Sequence, residues 1–99
     1  MISRRTERFR QLLQKLPPPV RKQAREAYRL WSQNPGHPSL RFKKIHATED
    51  IWSARVTDDY RAVGLRRADH VLWFWVGTHA DYEKLLKTGK RRGARLPDR

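Results

Sequence analysis

Arg55, Arg61 and His79 are the residues of this chain whose types and spacing suit phosphate chemistry. A guanidinium stays charged, and its planar fork matches phosphate oxygens. Imidazoles exchange protons near neutral pH, as general acid–base catalysis requires. The three positions are odd-numbered within the run R-V-T-D-D-Y-R-A-V-G-L-R-R-A-D-H-V-L-W-F-W-V-G-T-H-A-D-Y, from Arg55 to Tyr82. Side chains in a strand alternate between faces, so the three can share one. Together they suit cleavage of RNA without a metal or other cofactor. A 2′-hydroxyl loses its proton and attacks the adjacent phosphate, the arginines stabilise the phosphorane, and the departing 5′-oxygen is protonated. His79 would be general acid or base, Arg61 would clamp the scissile phosphate, and Arg55 with Lys43 would neutralise flanking charge.

The elements that must position these groups read as a short antiparallel meander, apolar runs separated by turn residues. Loops of three residues, Thr57 to Asp59 and Arg67 to Asp69, would gather Trp52, Ala54, Val56, Tyr60, Ala62, Gly64, Leu72, Phe74 and Val76 on one face. Ser53, Arg55, Arg61, Trp73, Trp75 and His79 would share the other. Two-residue loops would bury Arg61 among apolar side chains, at a cost of several kcal/mol, on the order of that for an uncompensated charge. The odd loops therefore win. They set Arg55 opposite Arg61, where like charges repel, so an anion is expected between them.

Upstream, Ser3 or Thr6 caps a first helix with Phe9, Leu12, Leu13 and Leu16 on one stripe. Pro17, Pro18 and Pro19 stop it, and a second helix runs from Pro19 to about Gln33, ended by Asn34-Pro35-Gly36. From Leu40 the period changes to two, with Arg41 and Lys43 on one side and Ile45 out of step. A short last helix, His79 to Leu86, is capped by Thr78. The expected fold is α+β: a helical hairpin on one face of a four-stranded, mainly antiparallel sheet, with the other face left to work. Residues 1–87 form one domain, and 88–99 a basic, disordered tail.

Composition narrows the partners. Lys and Arg number 23 against 10 Asp and Glu, a net charge of +13 over 99 residues. A domain this basic points to a polyanion, nucleic acid ahead of an anionic membrane or an acidic protein. Cysteine is absent, which excludes disulfides and thiolate metal sites and fits a reducing compartment. The first ten residues hold no apolar core of a signal peptide, and no stretch approaches a membrane span. His37, His46 and His70 lack metal-ligand spacing.

Two helices followed by W-S-A-R-V-T-D-D-Y-R-A-V and then V-G-T-H-A-D-Y resemble the RelE/ParE superfamily of toxin–antitoxin toxins, over roughly Phe9 to Leu86 and especially the RelE and YoeB branches. The resemblance implies a small cytoplasmic toxin that cleaves mRNA in the ribosomal A site until a cognate acidic antitoxin neutralises it. Family arginine, terminal His/Arg and preceding basic positions map onto Arg61, His79 and Arg55. The family tyrosine has no counterpart beside His79, where Ala80 follows, and Tyr82 is the nearest. The glutamate base of the YoeB branch would fall near His37-Pro38, where no acid stands, so the base is unassigned. Arg41, Lys43, Lys44, Trp73, Trp75 and Tyr82 are the expected RNA-binding set, the tryptophans by stacking on bases.

Each residue has a plainer alternative. His79 would cap the last helix, Arg61 would be an exposed strand arginine, and the lysines a solvated face. Tyr82 would fasten the last helix, which, or an antitoxin segment, would cover the tryptophans. Two rival functions stand beside the nuclease. One is gyrase inhibition without cleavage, as in the ParE branch; the other is an RNA-binding module without catalysis.

Overall fold

Threonine and proline positions set where each helix starts. The computed structural model describes the backbone of residues 1–92 and the side chains of residues 1–86. Thr6, not Ser3, caps helix α1 (Glu7–Gln14), its hydroxyl accepting from the Phe9 amide at 3.0 Å. Such a cap is worth about 1 kcal/mol. Pro18 opens helix α2 (Pro18–Gln33) at a position where a missing N–H costs nothing. Arg21 reaches back from α2 and donates to the carbonyls of Leu16 (2.8 Å) and Gln14 (3.3 Å). That places a cation on the negative end of α1 and stiffens the link.

Among the described residues, five strands form one mixed sheet. They are β1 (Ile2–Arg5), β2 (Lys43–Lys44), β3 (Ile51–Thr57), β4 (Tyr60–Arg67) and β5 (His70–Thr78), in the order β1-β5-β4-β3-β2. The fifth strand, β1, corrects the expected four. It pairs parallel to β5, Ile2 with His70 through Arg5 with Trp73. A four-residue polar segment carries no strand period of its own, and its order comes from this distant partner. After α2, a 3-10 turn (Pro38–Leu40) and Arg41, left-handed at φ 45°, lead into the short edge strand β2.

Arg55 pairs with Arg61, as expected from the odd-loop argument. The extra residue, however, lies in the strand. Thr57 pairs with Tyr60 across a two-residue turn, and the register shifts between Arg55 and Thr57. The next hairpin also turns in two residues, with Ala68 left-handed at φ 56°. Its register shifts beside Phe74, since Val63 pairs with Trp75 while Gly64 pairs with Trp73. This second bulge reverses the expected faces of Trp73 and Phe74.

The sheet is consequently covered on both sides. Helix α1 lies over β5 and α2 over β3. Beneath them pack Phe9, Leu16, Trp31, Leu40, Ala54, Ala62, Val71, Trp73 and Val76. On the other face Ile51, Val63, Phe74, Trp75 and Tyr82 form a second cluster, with Leu85 and Leu86 against it. That cluster belongs to helix α3 (His79–Arg92), which runs beyond the expected end at Leu86. The reverse face is therefore part-sealed, because Tyr82, Leu85 and Leu86 give α3 an apolar stripe that needs cover. Of the expected tail, residues 93–99 lie outside the described residues.

Candidate functional site

The exposed end of this second face is built from the β3–β4 turn and the first residues of α3. Arg55 and Arg61 leave the sheet opposite one another, yet their guanidinium groups take different partners. Arg61 curls over the turn, its Nη1 donating to the carbonyls of Thr57 (2.7 Å), Tyr60 (2.9 Å) and Asp58 (3.3 Å). Arg55 takes the Asp58 carboxylate, Nη2 to Oδ1 at 2.5 Å, and its Nη1 lies 3.5 Å from the Ser39 carbonyl. The anion was expected between the two arginines; Arg55 alone holds one, the chain's own Asp58, while Arg61 is on backbone carbonyls. The hydrogen bond from Arg55 and the Arg55 charge, with smaller help from Arg41 and Arg61, hold the Asp58 carboxyl below its ordinary value of 3.8.

His79 is joined to the same turn through its backbone. Its N–H donates to the Asp59 carbonyl at 2.7 Å, which sets the His79 backbone at the end of the sheet that carries Arg55 and Arg61. Thr78 caps α3 instead, its hydroxyl accepting from the Asp81 amide at 3.1 Å. The His79 side chain is thus free of capping. Its Nε2 lies 3.7 Å from Glu83 Oε2 one helical turn on, and both are half exposed. The ring sits 5.7 Å from the Tyr82 ring at a 42° tilt.

The remaining expected contacts divide. Lys43 pairs with Ser53, so it shares the face of Arg55, whereas Lys44 pairs with Trp52 and lies 3.7 Å from Asp50 on the other side. Both lysines and Arg41 are exposed. Trp73 and Trp75 are not on an open face. Trp73 is 4% exposed beneath α2, 5.4 Å from Trp31, and Trp75 is 8% exposed in the α3 cluster. Buried indoles have no free face for a base. Tyr82 is 7% exposed, its hydroxyl 3.4 Å from that of the buried Ser53, the fastening role weighed against RNA contact.

Sequence reasoning missed Asp58 and Glu83. Their spacings, three residues after Arg55 and four after His79, were visible in the sequence. His37 and His46 serve loops, each Nδ1 accepting backbone N–H groups two or three residues ahead.

On the helical side a groove of about 530 Å³ opens between α1, α2 and the sheet. Phe9, Leu13 and Tyr28 line its apolar part, and Arg5, Arg25, Arg29 and Arg55 also contribute to its walls.

Helices on both faces of a five-stranded mixed sheet, with arginines and a histidine at one end, define a small basic α+β domain. Residues 18–84 match the ParE-like toxin domain, and the chain belongs to that family. Among solved structures it is similar to YafQ from E. coli strain BL21(DE3), at 12% identity over 81% of this chain and 94% of that one, TM-score 0.66. It is also similar to the RelBE2 toxin–antitoxin complex of Mycobacterium tuberculosis, at 24% identity over 79% and 96%, TM-score 0.63. A third is the archaeal RelE–RelB complex of Pyrococcus horikoshii OT3, at 17% over 78% and 92%, TM-score 0.62. These likenesses show the fold. No curated protein matches the chain by sequence.

Proposed function

We propose that this chain is the toxin of a toxin–antitoxin pair and cleaves mRNA on the ribosome, in the cytoplasm, without a metal. The observation that carries the reading is Arg55 holding the Asp58 carboxylate, with Arg61 on the backbone carbonyls of the same turn and His79 tied to it. A guanidinium that holds a carboxylate suits a phosphodiester in the same place. Attack of the 2′-hydroxyl on phosphorus forms a 2′,3′-cyclic phosphate and breaks the bond to the 5′-oxygen. One proton leaves the 2′-hydroxyl and one reaches the 5′-oxygen. His79 performs one of these transfers, and Arg61 and Arg55 stabilise the added negative charge of the phosphorane.

The partner is an acidic antitoxin. The charge of +13 favours fast association with it. The arginine-bearing groove between α1 and α2 suits an acidic segment with an apolar stripe. DinJ–YafQ is crystallised as a toxin–antitoxin complex, and archaeal RelE together with RelB.

The test is purified translation with mapped mRNA ends. The chain should cut, and His79→Ala should lower the rate by about 10²- to 10⁴-fold, the usual worth of a general acid or base. The ParE-like family match favours a second reading, binding of DNA gyrase without cleavage. A parallel supercoiling assay separates the two.

A further inference from the structure

The β3–β4 turn presents an acid to the arginine that the proposed mechanism needs free. Asp58 is 89% exposed in its side chain and Arg55 only 27%. The two partners of this ion pair are therefore unequal. Arg55 is held by its strand and lies against the Ser39 carbonyl, while Asp58 stands in water on a turn. Breaking the pair moves the aspartate and leaves the guanidinium in place.

We propose that Asp58 is an internal stand-in for the substrate phosphate, occupying Arg55 in the resting chain and displaced when a phosphodiester enters. The proposal rests on the assignment of Arg55 as a phosphate ligand in the function proposed above. The exchange replaces one anion by another, so Arg55 is not left unpaired at either stage. Arg61 stays on the turn carbonyls throughout and adds its charge to the same place. The consequence is selectivity. A lone phosphate must compete with a carboxylate that is always present, whereas a strand reaching Lys43 and Arg41 as well brings further contacts and wins. Asp58 is here a positioning and gating residue, outside the proton transfers.

Anisotropy with a fully 2′-deoxy single-stranded oligonucleotide reads binding alone, because that probe lacks the attacking hydroxyl. Asp58→Asn should bind it about two- to fivefold more tightly than the unaltered chain, the range expected from releasing an exposed ion pair. Asp59→Asn removes the same charge one residue away and should change binding by less than about 1.5-fold, since exposed charges are largely screened. In an Arg55→Gln background, Asp58→Asn should give no gain. Asp58→Ser, a second exposed change, should behave as Asp58→Asn does. Equal effects of Asp58→Asn and Asp59→Asn, or a gain that survives Arg55→Gln, would overturn the proposal. Intact mRNA in the translation assay would instead count against the nuclease reading and leave these binding ratios to stand or fall separately.

Discussion

The Asp58 carboxylate is the residue on which the electrostatics of the turn can be read directly. Arg55 holds its proton affinity below the ordinary 3.8. A carboxyl lowered in the folded state stabilises the fold above its unfolded pKa, and that contribution is lost as pH falls through the folded value. Carbon-detected NMR should place the Asp58 midpoint below 3.8, and Arg55→Gln should raise it toward the ordinary value. An unchanged midpoint in Arg55→Gln would remove the pair from the account. The facing arginines followed from parity and the cost of burying one, and so did the need for an anion near them, which Asp58 meets at Arg55. That the anion would be the chain's own was not legible, since a turn aspartate next to a second one reads first as turn chemistry.

Elements show where local pattern fails. The alternation from Trp52 to Val63 was readable because one face had to exclude Arg61. Beyond Gly64 it was not, because the bulge beside Phe74 is set by packing. Without a side chain Gly64 admits Trp73, and an added Cβ would lie 2.9 Å from its ring and 2.8 Å from Val71. Gly64→Ala should therefore cost about 1–3 kcal/mol in urea denaturation, the range for an overpacked core. Trp31 is 2% exposed and meets Phe42 and Trp73 edge-on. Trp31→Ala should cost about 3–5 kcal/mol, a large share of the roughly 5–15 kcal/mol that holds a domain together. Strand β1 stayed hidden because its hydrogen bonds are to β5, some 70 residues away in sequence. Helix α3 outruns its expected end at Leu86, since lysine and arginine propagate a helix well even where few apolar residues support it.

For the whole molecule, the +13 charge decides the approach and a few positions decide the chemistry. Binding of single-stranded RNA should weaken as salt rises, by a logarithmic slope of about 0.7 for each phosphate neutralised. Lys43→Gln should reduce that slope by about 0.7, whereas Lys44→Gln, on the opposite face and beside Asp50, should leave it nearly unchanged. Equal slopes for the two variants would mean that the sheet presents no preferred face to RNA. The central claim is that Arg55, Arg61 and His79 form one centre that breaks the RNA backbone. It is tested most directly by purified translation with the 3′ ends of the cut message analysed chemically. The account predicts fragments ending in 2′,3′-cyclic phosphate that disappear with His79→Ala. Intact message beside a gyrase that loses supercoiling activity would contradict it.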